Sequence, residues 1–356
     1  MALGVDCVFI VTSPPIVGLA KPLVEVLRQA GKKVIVYSGI AEEPSVTSFE
    51  ETLAAARSAK PDAVVGLGGG SAMDVAKLVA ALYDDRQDVR DVFGIEVLSA
   101  RALPLACLPT TAGTGSEVSP NAILLDEADG QKKGIVSPYL MPDAAYVDPL
   151  LTVTVPPAVT AATGIDALTH CIEAYANRFA HPMIDLYALQ GIRLISGSLL
   201  QAVRKGDDLE ARTNVALGSY YGGLCLAPVN TAAVHALAYP LGSEFHVAHG
   251  VSNAVLLPHV LRFNLPAAPE RYAELALALG VEADGSVEET ARRGLDRLQA
   301  LCRECGIPSG LSELGVPEEA IPGMAVAAMK VTRLLKNNVR EMTAADAEEI
   351  YRAAYV

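Results

Sequence analysis

The stretch AVVGLGGGSAMDVAKLVAAL, residues 63–82, decides the fold. Ala63–Leu67 is a short apolar run rich in valine, of the length of a buried strand. Gly68-Gly69-Gly70-Ser71 follows, and Ala72–Leu82 then repeats apolar residues at helical spacing. A strand that breaks at glycines straight into a helix is a βα unit. Its glycines let the backbone approach an anion, and the helix N-terminus offers unpaired N–H groups with a favourable dipole. Ser71 adds a hydroxyl donor. The run matches neither G-x-G-x-x-G nor G-x-x-x-x-G-K-[ST], so those two fingerprints fail, and a glycine run alone also makes a plain tight turn.

Outward from this unit the same texture continues on both sides. Cys7–Thr12 and Lys33–Ser38 read as strands, Val17–Ala30 and Val46–Ser58 as helices, and Leu103–Leu108 as a fourth strand. Alternation of this kind predicts a parallel sheet with helices on both faces. The fourth strand runs into PTTAGTGSE (109–117), a short loop with four hydroxyls and two glycines. Loops at strand C-terminal ends of a doubly wound sheet converge on one crevice. Two glycine-bearing polar loops there resemble a dinucleotide cleft, although a hydroxyl-rich loop also caps its own helix.

Past Pro156-Pro157 strand-like alternation nearly vanishes. Helical periodicity covers Ala158–Ala176, Pro182–Arg204, Leu209–Leu224, Thr231–Leu241, Ala268–Leu279, Val287–Glu304, Glu318–Leu335 and Ala344–Ala354. The expected organisation is an α/β, Rossmann-like dinucleotide-binding domain over residues 1–156 and an all-α metal-binding domain over residues 157–356. The length of 356 residues fits two domains.

Composition narrows the partners. A net charge of -13 disfavours nucleic acid and anionic membrane surfaces. No stretch reaches the roughly 18 uninterrupted apolar residues of a membrane span, and nothing at the N-terminus reads as a signal peptide, so the expected location is cytoplasmic. Six cysteines are scattered through apolar segments, as buried free thiols often are. Cys302-x-x-Cys305 has no second pair to complete a zinc or redox motif.

Asp166-Ala-Leu-Thr-His170 places a carboxylate and an imidazole at i and i+4, on one helix face. His235, His246 and His249 follow, so four of the six histidines lie in two segments. Such a pair alone is often a surface or core contact. One carboxylate with several imidazoles on converging helices suits a divalent transition ion better than magnesium. His181 before Pro182 and His259 after Pro258 read as caps or structural contacts.

These residues resemble the iron-containing (group III) alcohol dehydrogenases. The similarity runs through GLGGGSAMDVAK (66–77), PTTAGTGSEV (109–118), TGIDALTHCIEAY (163–175), AVHALAYPLGSEFHVAHGVSNAVLLPH (233–259) and NNVREMTAADAEEIYRAA (337–354). The resemblance implies an NAD(P)-dependent oxidoreductase of small alcohols and aldehydes or ketones, with a catalytic metal between its domains. It implies Asp166, His170, His235 and His249 as ligands of a divalent ion, Fe2+ or else Zn2+. It also implies Gly69, Gly70, Ser71 and Asp74 at the pyrophosphate, and Thr110, Thr111, Thr114, Ser116 and Val118 at the nicotinamide and ribose. Lys133, or Lys132, would reach the ribose, and the assembly would be a homodimer or larger.

Three departures stand out. Tyr239 occupies a place where many members carry a further histidine, which leaves His246 or Tyr239 as the proton relay. Thr12-Ser13-Pro14 stands where NAD-strict members often carry an aspartate, so NAD and NADP both fit. The segment before the first strand is short for the family. A related maleylacetate reductase would need basic residues near the substrate, and a dehydroquinate-synthase-like lyase a lysine-rich phosphate pocket. A sensor that had lost catalysis would have lost ligands, and all four are present.

Overall fold

The computed structural model describes residues 4–40, 43–128 and 130–356. The chain divides into two compact units, Met1–Thr111 with Ser116–Thr152, and Ala112–Gly115 with Val153–Val356.

The first unit runs β1 (Cys7–Val11), α1 (Lys21–Gln29), β2 (Lys33–Tyr37), α2 (Val46–Ala59), β3 (Ala63–Gly68), α3 (Gly70–Leu82), β4 (Gly94–Ile95), β5 (Leu105–Pro109), β6 (Asn121–Asp126), β7 (Gln131–Val136) and β8 (Ala144–Ala145). Five strands form a parallel sheet in the order β2-β1-β3-β5-β8. The chain steps from β1 outward to β2 and returns to β3 on the other side, so the winding reverses between β1 and β3. Ligands of open parallel sheets bind beyond the strand C-termini at such a switch point.

Both faces of the sheet are covered. Phe9 and Val11 pack with Phe49, Val75 and Val79 on one face, and Val8 and Ile10 with Ala20 and Val24 on the other. That is why the strand reads as an uninterrupted apolar run rather than an alternating one. α3 lies tight on β3: a Cβ on Gly68 would stand 2.7 Å from the Ala72 Cβ, so only glycine permits the approach.

Two local expectations change. The helix expected from Val17 begins at Lys21, after a 3-10 segment over Pro14–Ala20. Pro14 and Pro15 fix φ and supply no backbone donor, which suits a tight turn better than a helix interior. A second, three-stranded sheet in the order β4-β7-β6 was not anticipated. Its β6–β7 hairpin is antiparallel, and Ala122, Leu124 and Asp126 are buried in a period of two.

The second unit is helical: α4 (Pro157–Tyr175), α5 (Pro182–Arg204), α6 (Leu209–Leu226), α7 (Ala233–Phe245), α8 (His249–Asn264), α9 (Pro269–Ala278), α10 (Val287–Glu304), α11 (Ile321–Ala328), α12 (Thr332–Leu335) and α13 (Ala344–Ala353). α4 is buried almost all round and packs against α5, α6 and α8, so it is the axis of a single apolar core. His181 caps α5, its Nδ1 accepting from the Met183 N–H at 3.3 Å. The stretch Glu318–Leu335 is broken into α11 and α12 rather than continuous.

α8 lies in a stretch to which the sequence reading assigns no helix, and Gly250 and Pro258 interrupt its pattern. Proline removes one helical hydrogen bond, but Leu256, Leu257, Val260 and Leu261 are buried along the same helix and hold it. A Cβ on Gly250 would stand 2.6 Å from the Ala162 carbonyl oxygen, so glycine lets the first turn of α8 lie against α4. Among the described residues, no helix is long and apolar enough to cross a membrane.

All six cysteines are free and buried. Burial pushes the thiols of Cys107, Cys225 and Cys302 up to about 12, and that of Cys305 up to about 11. The thiolate is the reactive form. A thiol reagent at pH 8 should therefore leave Cys107, Cys225, Cys302 and Cys305 unreacted in the native protein and reach all six cysteines in denaturant. Fast stoichiometric reaction of the Cys302 and Cys305 pair in the native state would contradict this.

Candidate functional site

Three helices of the second unit bring one carboxylate and three imidazoles together. Asp166 and His170 lie one turn apart on α4, His235 in the first turn of α7, and His249 at the first position of α8. The Nε2 atoms of His170, His235 and His249 stand 3.9, 3.6 and 3.7 Å from Asp166 Oδ1. The His170 and His235 rings stack at 4.9 Å, and the His235 and His249 rings tilt at 5.3 Å. Asp166, His170 and His235 are buried, whereas the His249 side chain is 38% exposed, so the cluster opens to one side only.

The charges of this cluster are strongly coupled. Burial alone would raise the Asp166 carboxyl, but the imidazoles of His170, His249 and His235 outweigh it and hold it well below its usual range. Burial lowers His170 to about 4. Burial would also lower His235, yet its bonds to the carboxylates of Asp166 and Glu173 raise it to about 9.

The donor set fits a divalent transition ion. Ligand atoms of Asp166, His170 and His235 all lie within 4.8 Å of one another. Ligands about 2.0–2.2 Å from a tetrahedral ion stand roughly 3.4 Å apart, close to this spacing. The cluster is also rich in acceptors, and the buried Asn253 amide points a proton donor at it. That amide lies 2.7 Å from Asp166 Oδ1 and 3.2 Å from the Nε2 atoms of both His235 and His249. A buried group of converging lone pairs is stabilised by a cation.

Two members of the site escaped the sequence reading. Glu173 Oε2 lies 2.6 Å from His235 Nδ1, while Oε1 accepts from the Val234 N–H at 2.6 Å. A carboxylate on Nδ1 fixes the tautomer that leaves Nε2 bare for a ligand role. Asn253 sits one turn after His249 on α8 and is fully buried. Both carried a signal, since Asp166, His170 and Glu173 follow an i, i+4, i+7 pattern and His249 and Asn253 an i, i+4 pattern.

The two relay candidates sit differently. His246 is exposed and ends α7 in the left-handed region, with φ 55°, a place where glycine or asparagine is usual. Tyr239 is part-buried one turn past His235, and its hydroxyl accepts from Arg333 Nη2 at 2.6 Å.

The cofactor candidates of the first unit gather at the ends of three neighbouring strands. Ser13 follows β1, Gly69, Gly70 and Ser71 open α3, and Thr110 and Thr111 follow β5. Gly69 is the N-cap of α3 and makes no side-chain cap bond, so no capping side chain competes with an anion at this helix start. The Thr110 N–H donates to the Gly68 carbonyl at 2.9 Å, tying the two loops together. The Thr12 hydroxyl at the same edge is buried with no hydrogen-bond partner among the described residues.

Other candidates have structural ties of their own. Asp74 accepts from the Ser116 hydroxyl at 2.6 Å and the Ile123 N–H at 3.0 Å, which anchors the second loop. Val118 is buried in a 3-10 turn, and Thr114 belongs to the second unit. Lys133 lies on β7 with its ammonium 2.6 Å from Asp126 Oδ2, and Lys132 pairs with Glu43 at 2.6 Å. A groove of about 1040 Å³, lined by Val8, Leu23, Val65, Leu108 and Leu151, covers an apolar sheet face and includes none of these loop residues.

Residues 1–149 match the profile described as iron-containing alcohol dehydrogenase, and residues 160–355 that of the Fe-containing alcohol dehydrogenase family, C-terminal. The chain is 43% identical to long-chain-alcohol dehydrogenase 1 of Geobacillus thermodenitrificans (strain NG80-2), over 99% of this chain and 90% of the relative. It is 35% identical to lactaldehyde reductase of Escherichia coli (strain K12), over 99% and 93%. Among solved structures, 1,3-propanediol oxidoreductase superposes with a TM-score of 0.96 at 37% identity, covering 99% of this chain and 93% of the other. An alcohol dehydrogenase from Oenococcus oeni gives 0.96 at 32% identity, with 99% and 93% covered.

If Glu173 orients His235, Glu173→Gln should weaken divalent-metal affinity about 10- to 100-fold, the usual cost of losing such a partner. Helical content should be retained. Calorimetric titration of the metal-stripped variant with zinc tests this, and wild-type affinity would rule out an orienting role.

Proposed function

The chain belongs to the iron-containing alcohol dehydrogenase family, and on that basis we propose that it interconverts a small alcohol and its aldehyde or ketone using a divalent ion and NAD or NADP. The observation that carries the reading is the convergence of three Nε2 atoms on one buried Asp166 oxygen, with His249 on the open side. The names of the relatives, which span long-chain alcohols, lactaldehyde and 1,3-propanediol, support alcohol and aldehyde chemistry. A divalent ion supplies Lewis acidity toward the substrate oxygen, and a nicotinamide supplies the hydride acceptor or donor.

The chain's own residues do the rest. Asp166, His170, His235 and His249 hold the ion, and Glu173 keeps His235 in its ligating tautomer. Burial of three of the four ligands keeps water from competing on all but one side. Gly69, Gly70 and Ser71 present the first turn of α3 to the cofactor pyrophosphate, and Thr110 and Thr111 flank it. Among ions, imidazole-rich sites with one carboxylate suit iron or zinc, and iron is the family's namesake.

Two measurements test this reading. His235→Ala and His249→Ala should each lose activity by orders of magnitude together with bound metal, while secondary structure survives. Full activity of a metal-stripped His249→Ala protein would refute the ligand set. Ser13→Asp should penalise NADPH more than NADH, because a carboxylate there would repel a 2′-phosphate. Equal loss with both cofactors would place Ser13 away from the ribose.

A further inference from the structure

The charge pattern around α12 departs from that of the rest of the chain. Lys330, Arg333, Lys336 and Arg340 occur within residues 330–340 with no acidic residue among them, in a protein of net charge -13. Arg333 is the inward member of the group. Its guanidinium donates to the Tyr239 hydroxyl at 2.6 Å and lies 5.8 Å from that ring's centroid. Tyr239 is on α7, four residues past His235, so it shares the helix face that carries a metal ligand. Helical side chains lean toward the N-terminus, which tilts Tyr239 toward the His235 end.

Arg333 therefore meets α7 one turn past His235. A guanidinium has five N–H donors in a planar fork, matched to carboxylates. Arg333 hydrogen-bonds a phenol hydroxyl, and among the described residues it forms no ion pair with an acidic side chain. A half-buried guanidinium steadied by a phenol is preorganised for an anion rather than neutralised by one.

We propose that Arg333 is a specificity-determining residue that binds an acidic group, a carboxylate or a related oxyanion, at the far end of the substrate. This rests on the reading that the reacting carbonyl lies at the Asp166 and histidine cluster. One helical turn separates His235 from Tyr239, about 6 Å at 1.5 Å per residue. The favoured substrates are short aldehydes or alcohols that carry an acidic group at the end away from the reacting carbon. The basic residue arrives from a helix distant in sequence from the ligands.

The test compares butanal with 4-oxobutanoate, equal in chain length and differing in one carboxylate, on the metal-loaded wild type, Arg333→Met and Arg333→Lys. The wild type should favour 4-oxobutanoate. The ratio of kcat/KM for 4-oxobutanoate over that for butanal should fall on the order of 100-fold in Arg333→Met, the usual scale for a lost hydrogen bond to a charged group. The change should appear mainly in KM, as expected for binding to a remote group. Arg333→Lys should recover part of the ratio. Butanoate binding, followed by calorimetry, provides an arm that needs no turnover: it should be detectable in wild type and lost in Arg333→Met. Loss of butanoate binding without any aldehyde turnover would uphold the anion site and sink the alcohol dehydrogenase reading. An unchanged substrate ratio, or equal butanoate binding in wild type and Arg333→Met, would overturn the proposal.

Discussion

A carboxylate that is 2% exposed in the middle of an apolar helical core must be met by groups that favour its charge. Asp166 is that carboxylate, and much of the second unit is arranged around the need to meet it. α4 carries it with His170, α7 brings His235, and α8 brings His249 and Asn253. Removing the imidazoles would leave an uncompensated buried charge, whereas pairing them on one oxygen creates a set of converging lone pairs. A site built this way is incomplete without a cation, which links the packing of the helices to the chemistry they support.

The first unit applies related electrostatics in backbone form. Its helix α3 starts at Gly69 with no side-chain cap, at the edge where the strand order reverses. Close packing of α3 on β3 aims that helix start past the strand ends, and the Thr110 N–H to Gly68 bond keeps the neighbouring loop beside it. An uncapped helix start suits a pyrophosphate better than a side chain that would compete for the same donors. One unit thus offers a partial positive end to an anion, and the other a buried negative cluster to a cation.

How much of this was legible follows from what each element looks like as a pattern. The βα units were readable because valine runs and glycine stops are local signals, and the pair Asp166 and His170 because i, i+4 spacing is local too. α8 was missed since Gly250 and Pro258 disrupt the helical pattern, while its stability comes from burial of Leu256, Leu257 and Val260 against other helices. The β6–β7 hairpin was missed although its two-residue period is plain once pairing is known. Glu173 reads as an ordinary helix residue until His235 arrives from 62 positions away. The same holds for Arg333, whose meeting with Tyr239 spans 94 residues of sequence and leaves no local trace.

On the proposed reading, three imidazoles and one carboxylate surround a single ion. X-ray absorption fine structure at the metal edge of the iron- or zinc-loaded protein measures that shell directly. It should show about three imidazole nitrogens and an oxygen near 2.0–2.2 Å, with no sulfur scatterer. A shell containing sulfur near 2.3 Å, or one without imidazole, would contradict the assignment.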